Sequence, residues 1–315
     1  MKIRHRFKGA YPVLLTPFDQ QFEIDWSAYR TMLEWYLKKG VGGLFANALT
    51  SEMAHLTPTE RLRVTREAVQ VANGMVPVVA TGSFGNSIAE HLDFCKRVAD
   101  EGVDAVILTI PEFCQDEPSL ETYYMTVAQK LPGVNLGIYE CPYPRPRHLS
   151  PELVRRLAVS GRFLPFKETS CDLNLIQAKI SAAKDTPLVL LQANTPYLLD
   201  AIRLGATGIM GLSVNVVPEF TAYAVDHALE EDYSEKTCTA HAVACEIDLM
   251  IRALHPAISK YMLLLRGLPI DPRCRSNPTP LSAEWRAGIR YALERILSGS
   301  GNQLIREKIN PVSVN

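Results

Sequence analysis

Several features that mark other classes of protein are absent from this sequence. Its 33 lysines and arginines nearly balance 34 aspartates and glutamates, so the net charge of −1 provides no broad attraction to nucleic acid or to a membrane surface. No apolar run is long enough for a signal peptide or a membrane span. The seven cysteines form no Cys-x-x-Cys pair, and the seven histidines show no His-x-x-x-His spacing. We therefore expect a reduced, cytoplasmic protein that has no metal site and binds neither nucleic acid nor membrane.

A Gly-x-Gly-x-x-Gly turn after the first strand-like segment is also missing, which argues against a doubly wound dinucleotide-binding sheet. Instead, short apolar segments alternate with helical patterns about every 25 to 30 residues. Eight such units predict an α/β protein whose parallel sheet closes into a (β/α)8 TIM barrel. The predicted strands are Tyr11–Thr16, Gly42–Asn47, Val76–Ala80, Ala105–Thr109, Asn135–Tyr139, Phe163–Lys167, Leu188–Leu191 and Gly208–Gly211.

Helix-start signals separate the predicted strands. The clearest is Thr57-Pro58-Thr59-Glu60, which combines a threonine cap, a proline in the first turn and a glutamate at the third position. After the eighth unit, the remaining residues have the pattern of three more helices. We therefore predict a barrel at residues 1–232 and a C-terminal helical segment at residues 233–315, packed on the barrel or on a neighbouring subunit.

The sixth predicted strand, Phe163–Lys167, is apolar apart from the lysine that ends it. Removing an ammonium group from water is costly, so a buried lysine tends to lose its proton. The neutral amine is a nucleophile that can form a Schiff base with a ketone. The alternative is an ordinary lysine at a strand end, with its charged head in water.

Two other candidates follow strands that would open at the same end of a barrel, where barrel chemistry takes place. Tyr139 ends the fifth strand, 28 residues before Lys167, so the two lie on adjacent strands. A phenol beside an amine can transfer protons during imine formation. Thr50, in the turn Leu49–Ser51 after the second strand, can hold a small carboxylate. Tyr139 could equally be a core aromatic, and Thr50 an ordinary helix cap.

The remaining polar residues carry weaker signals. Arg145 lies in a proline-rich loop next to the predicted mouth, where a stiffened backbone could aim it at an acidic substrate. Most loop arginines are merely solvated. We expect His55 and His91 to lie on the surface. A phosphate site near the eighth strand, at residues 205–211, is a further possibility that other barrels suggest.

These motifs together resemble the dihydrodipicolinate synthase / N-acetylneuraminate lyase superfamily of pyruvate-dependent Schiff-base enzymes. The matching motifs are Gly9-x-x-Pro12 with Thr16-Pro17-Phe18, Gly42-Gly43-Leu44 through Thr50-Ser51-Glu52, Ile138-Tyr139-x-x-Pro142, Phe166-Lys167-Glu168-Thr169, and Gly205-x-x-Gly208 with Ser213 and Asn215. The resemblance implies that Lys167 forms an imine with pyruvate or another 2-oxo acid, without a further cofactor. It also implies that Tyr139 relays protons, that Thr50 grips the carboxylate, and that the protein is a homotetramer.

Departures from the family pattern bear on the second substrate. The first of the family's paired hydroxyls is replaced by Leu49, and the best match to its second tyrosine, contributed by a neighbouring subunit, is Phe113. The arginine that follows the strand-five tyrosine is displaced by one position, to Arg145. The candidate site residues are therefore Lys167 and Tyr139 for catalysis, and Thr50, Leu49, Ser51, Arg145, Phe113 and Met210 for substrate binding.

Three functions stay open at this point. The first is a metal-independent lyase or aldolase that forms a Schiff base with a 2-oxo acid and then makes or breaks a carbon–carbon bond or eliminates water. Its second substrate is unidentified, and Leu49 and Phe113 suggest either a less polar molecule or a different proton relay. The second is 4-hydroxy-tetrahydrodipicolinate synthesis proper. The third is a barrel that binds a 2-oxo acid or a sugar acid without turnover, which the loss of the relay hydroxyls at Leu49 and Phe113 would favour.

Overall fold

Eight parallel strands form the centre of the molecule in the computed structural model, which describes residues 6–299. The order β1-β8-β7-β6-β5-β4-β3-β2 places neighbours in sequence side by side. A parallel bridge between Val13 and Phe45 joins the first strand to the second and closes the ring. The predicted TIM barrel is thus confirmed. The strands are β1 (Gly9–Pro12), β2 (Leu44–Ala46), β3 (Val78–Thr81), β4 (Ala105–Thr109), β5 (Leu136–Tyr139), β6 (Phe163–Glu168), β7 (Val189–Gln192) and β8 (Gly208–Gly211).

Helices surround the barrel, and their starts follow the capping residues in the sequence. The Thr57 side chain accepts a hydrogen bond from the backbone N–H of Glu60, and Pro58 occupies the first turn. The helices are α1 (Trp26–Lys38), α2 (Pro58–Ala72), α3 (Ile88–Asp100), α4 (Glu117–Lys130), α5 (Pro151–Val159), α6 (Leu173–Ala183), α7 (Leu198–Leu204), α8 (Ser213–Val216), α9 (Pro218–Asp226), α10 (Glu235–Arg252), α11 (Ala257–Leu265) and α12 (Ala283–Ser298).

The strands separate two apolar clusters, because successive side chains of a strand point to opposite faces. Phe166 lies in the outer cluster, between the strands and the helices. Tyr139 and Met210 belong to the inner cluster, which fills the barrel. This alternation turns Lys167, the residue after Phe166, towards the interior of the barrel.

The C-terminal segment packs against the barrel through buried polar contacts. Lys260 of α11 donates a hydrogen bond to Glu52 over 2.6 Å, and Ser276 donates to the same carboxylate through its backbone N–H and its hydroxyl. Arg275 forms two hydrogen bonds with Glu60 of α2. The proposed division between residues 232 and 233 stays a prediction, and residues 1–5 and 300–315 of the two predicted domains lie outside the described residues.

The first predicted strand differs from the structure, and one short helix was not predicted. The first strand, predicted at Tyr11–Thr16, pairs with β8 only over Gly9–Pro12, because the chain beyond Pro12 turns towards β2. A 3-10 turn at Thr195–Tyr197 leads directly into α7. The short helix α8 was not predicted, since four apolar and small polar residues show no helical period. Within residues 6–299, no helix combines the length and apolar character needed to span a membrane.

Candidate active site

Lys167 and Tyr139 meet inside the barrel. They are paired in register on β6 and β5, and both side chains are buried, at 6% and 3% exposure. The Lys167 Nζ atom lies 4.4 Å from the centre of the Tyr139 ring and 5.4 Å from that of Phe45. Phe45 in turn makes an edge contact with Tyr139. The amine therefore lies in a pocket with two aromatic walls.

Burial changes the acid–base character of the amine. It lowers the pKa of Lys167 to about 7, an effect that the nearby Cys141 thiol partly opposes. Among residues 6–299 three lysines are buried, and two of them lie against carboxylates: Lys179 against Glu140 and Glu168, and Lys260 against Glu52. Lys167 has no such carboxylate within salt-bridge distance in this part of the chain. In a large fraction of the molecules, the Lys167 amine is therefore neutral near pH 7.

The phenol has the opposite character. Burial raises the pKa of Tyr139 well above its ordinary value, and the neighbouring Cys141, which also forms a hydrogen bond with the phenol, acts in the same direction. Tyr139 is therefore protonated at neutral pH and can donate a proton. The pair combines a nucleophilic amine with a weak acid in one dry site.

The turn after β2 brings Thr50 into the same region. Residues Leu49–Ser51 form a 3-10 turn in which the Ser51 hydroxyl donates to Leu14 and accepts from the backbone N–H of Ala48. The backbone N–H of Ser51 also bonds to Ala48. The side chain and N–H of Ser51 are thus occupied by the backbone. Among residues 6–299, the hydrogen-bond partner of the Thr50 hydroxyl is instead a side chain, His255, at 3.3 Å.

The other predicted substrate contacts are placed differently. Leu49 packs against the inner cluster, and Met210 is fully buried within it. Phe113 belongs to the outer side, where its ring makes edge contacts with His91 and Tyr123. The Arg145 side chain is 57% exposed and faces Glu112 at 3.5 Å. The structure therefore brings Leu49 and Met210, but neither Phe113 nor Arg145, into the apolar cluster that contains Tyr139.

Two histidines differ from expectation or were not anticipated. His91 was expected on the surface but is 3% exposed, because its Nδ1 pairs with the Tyr123 hydroxyl at 2.8 Å in the aromatic layer. His55 is exposed, as predicted. His255, between α10 and α11, reaches the mouth of the barrel and had no signal in the sequence, since Thr50 precedes it by 205 residues.

Charged residues behind the strands support the pair. Glu140 follows Tyr139 and Glu168 follows Lys167, so both carboxylates point outward from the barrel. Lys179 of α6 donates to both, over 2.6 and 2.9 Å, and all three side chains are completely buried. Gln192 of β7 donates a further hydrogen bond to Glu168. This network links β5, β6, β7 and α6 directly behind the candidate site.

Among residues 6–299 no group of three or more histidine, cysteine, aspartate or glutamate side chains is arranged to hold a metal ion. The predicted Schiff-base reaction does not require a metal ion.

Comparison with known proteins assigns this chain to a family. The family model described as the dihydrodipicolinate synthetase family matches residues 6–296. The chain is similar to 4-hydroxy-tetrahydrodipicolinate synthases of Natronomonas pharaonis, with 33% identity over 91% of this chain and 97% of that one, and of Methanosarcina acetivorans, with 29% identity over 88% and 97%.

Solved structures share the fold of this chain. A prophage protein of the dihydrodipicolinic acid synthase family from E. coli K12, in complex with pyruvate, superposes with a TM-score of 0.84 at 22% identity, covering 92% of this chain and 98% of that one. The chloride-inhibited dihydrodipicolinate synthase of Acinetobacter baumannii, complexed with pyruvate, gives a TM-score of 0.83 at 24% identity, covering 92% and 98%. The resemblance predicted from the motifs is confirmed: the chain belongs to the dihydrodipicolinate synthetase family.

Proposed function

We propose that the protein is a class I lyase or aldolase that forms a Schiff base between Lys167 and pyruvate or another 2-oxo acid. The observation that carries this proposal is a buried lysine whose surroundings, among the described residues, include no paired carboxylate. Burying a charged ammonium there would require a large desolvation free energy. A neutral amine requires less, and it is nucleophilic.

The chemistry follows from the two side chains. The neutral Nζ of Lys167 attacks the carbonyl carbon of the 2-oxo acid and gives a carbinolamine. Tyr139 donates its proton to the departing hydroxyl, which leaves as water, and the nitrogen lone pair forms the C=N bond. The protonated imine then accepts the electron pair of an adjacent bond that breaks. Where that bond is a C–H bond, the Tyr139 phenolate takes the proton, and the resulting enamine attacks a second substrate. Water returns to the imine carbon at the end and regenerates the amine.

Substrate binding is assigned to residues around the pair. Thr50 would hold the 2-oxo acid carboxylate, since no backbone group in the described part of the chain occupies its hydroxyl. Leu49 and Met210 would form an apolar wall, which favours a second substrate less polar than one held by hydroxyls. Ser51 would act through the shape of the turn. Arg145 and Phe113 lie farther out, and either would contact only a longer substrate.

The narrower activity, 4-hydroxy-tetrahydrodipicolinate synthesis, is supported by the names of the similar proteins and by 33% identity. Leu49 and Phe113 weigh against it, because neither can pass a proton. The same two residues are the observation that favours a barrel that binds a 2-oxo or sugar acid without turnover. The Lys167–Tyr139 pair weighs against that alternative, since an unpaired buried lysine reduces stability.

Three further properties are proposed together with this function. The imine itself is the electron sink, so the reaction needs no other cofactor. Seven free cysteines fit a reducing, cytoplasmic compartment. Exposed apolar side chains on the C-terminal helices, with Leu249 at 64% and Trp285 at 43% exposure, fit a homotetramer.

Reductive trapping tests the proposal. Pyruvate and cyanoborohydride should add the mass of one reduced pyruvate to the protein, and peptide mapping should place it on Lys167 rather than on Lys179 or Lys260. Lys167→Ala should abolish the adduct, whereas Lys184→Ala, which removes an exposed lysine, should retain it. Absence of an adduct with pyruvate and with longer 2-oxo acids would refute Schiff-base chemistry. An imine that forms but is never consumed would instead support the binding protein.

A further inference from the structure

We infer that His255 is a positioning residue that aims the Thr50 hydroxyl at the carboxylate of the substrate. This inference rests on the proposed function, because it concerns the 2-oxo acid that Lys167 would bind. It assigns to the C-terminal segment a part in substrate selection, in addition to packing on the barrel.

His255 connects two buried hydroxyls. Its Nε2 lies 3.3 Å from the Thr50 Oγ1 atom, and its Nδ1 lies 3.2 Å from the Ser259 Oγ atom. Thr50 is 4% exposed and Ser259 is completely buried. The three side chains therefore form a chain of hydrogen bonds that begins in α11 and ends at the mouth of the barrel.

The surroundings of Ser259 determine which ring nitrogen carries the proton. Within residues 6–299, the imidazole is the one hydrogen-bond partner of the Ser259 hydroxyl. The Ser259 hydroxyl therefore donates a hydrogen bond to Nδ1, which acts as the acceptor. The remaining ring proton is then on Nε2 and is donated to the Thr50 oxygen. Thr50 keeps its own O–H, which can donate to a substrate anion.

The charges around His255 are consistent with a neutral ring. Burial lowers the pKa of His255 to about 3, and the positive charge of Lys260, together with that of Lys167 when it is protonated, acts in the same direction.

The chain matters because Thr50 has little support from its own turn. Leu49 has no hydroxyl, and both polar groups of Ser51 are bonded to the backbone. A hydrogen bond accepted by the Thr50 oxygen polarises its O–H and strengthens donation to an anion. This arrangement favours a charged carboxylate over a neutral ester of the same shape.

The decisive measurement compares trapping of pyruvate with trapping of methyl pyruvate, whose carboxylate is masked. In His255→Leu, the half-saturating pyruvate concentration should rise about tenfold, roughly the loss of one hydrogen bond to a charged group. The value for methyl pyruvate should stay within about twofold, as should the maximal trapping rate with either compound. Equal losses for the two compounds, or no loss for pyruvate, would overturn the inference.

Two additional variants establish that His255 acts through Thr50. Thr50→Val should raise the half-saturating pyruvate concentration, and adding His255→Leu to it should cause no further rise, because coupled residues are not additive. His255→Gln, which places an amide N–H near the position of Nε2, should recover most of the wild-type value. Additive losses, or a glutamine variant as weak as the leucine variant, would contradict the assignment.

Matched variants separate this inference from a folding defect and from failure of the proposed function. His241→Leu removes another imidazole of the C-terminal segment, one bonded to the backbone of Thr195, and should leave trapping unchanged. If His255→Leu does not fold, Ser259→Ala provides the same test. It should cause a smaller selective loss for pyruvate. An unchanged ratio of the half-saturating concentrations of pyruvate and methyl pyruvate would refute the Ser259–His255–Thr50 hydrogen-bond chain. Absence of any adduct in the wild-type protein would refute the Schiff-base function itself, whereas a wild-type adduct with unaltered selectivity in the variants would refute the role of His255 alone.

Discussion

Three lysine side chains are buried in the described part of the chain, and their neighbours give them different roles. Lys179 and Lys260 each contact carboxylates at 2.6 Å, so they form buried ion pairs between elements. Lys167 instead lies over the rings of Tyr139 and Phe45. Burial alone does not distinguish the three lysines, whereas the absence of a paired carboxylate among residues 6–299 sets Lys167 apart and supports its proposed role as the nucleophile.

The pH dependence of trapping follows from this setting. The pKa of Lys167 is lowered to about 7, and only the neutral amine attacks the carbonyl. The initial rate of adduct formation should therefore fall about tenfold per pH unit below pH 7 and level off above it. Rates measured with cyanoborohydride between pH 5 and 9 test this. A rate that climbs steadily to pH 9 would indicate an unshifted lysine.

Removing the phenol should slow the chemistry without disturbing the fold. Tyr139→Phe keeps the ring that packs against Phe45 but loses the proton donor, so trapping should slow by about 100- to 10,000-fold. Tyr11→Phe is the matched control, because Tyr11 is a buried tyrosine of the same cluster that points towards the backbone of Arg6. Similar rates for the two variants would exclude Tyr139 as the proton donor.

At the scale of elements, the turn that carries Thr50 is held by segments far away in the chain. Glu52, just after the turn, adopts a left-handed backbone conformation (φ 59°) and is bonded to Lys260 of α11 and to Ser276. The turn that carries Thr50 and the C-terminal segment are thus connected by hydrogen bonds. A change in α11 therefore affects the position of the Thr50 hydroxyl.

The Glu52–Lys260 pair should contribute strongly to stability. Lys260→Met leaves a buried carboxylate without its cation and should lower the free energy of unfolding by about 3–5 kcal/mol. Urea titration at fixed protein concentration measures this loss. Glu52→Gln/Lys260→Met removes both charges and should recover much of it. Arg66→Met, which breaks an exposed pair with Glu101, should have a far smaller effect, and an equal effect would contradict the role of burial.

At the scale of the whole molecule, exposed apolar side chains on α10 and α12 are the features that support the proposed association. Leu249, Trp285 and Tyr291 are each more than 40% exposed, although they are large and apolar. Such residues on an otherwise polar surface are typical of contacts between subunits. The proposed homotetramer would cover them.

Light scattering on the purified protein tests the assembly. The mass should be about four times the 35.0 kDa of one chain. A Leu249→Glu/Trp285→Glu variant should shift towards smaller species, because two charges would face an apolar surface. Val159→Glu alters an apolar residue that is equally exposed on α5 and serves as the comparison. A wild-type mass of one chain would contradict the proposal.

The sequence by itself determined the eight strand–helix units, the capped helix starts and the family. It also predicted that Lys167 and Tyr139 share a mouth, and their pairing on β6 and β5 agrees. These features are local: strand alternation, capping and the spacing of repeated units are written in short stretches of chain.

Only the tertiary structure decided what surrounds the amine. No local pattern indicated that Lys167 would lack a paired carboxylate, that Phe113 would lie in the outer layer, or that His91 would be buried. The contacts of His255 with Thr50 and of Lys260 with Glu52 join residues more than 200 positions apart. Such contacts depend on how the C-terminal helices pack across the mouth of the barrel. They therefore exist only once the chain has folded.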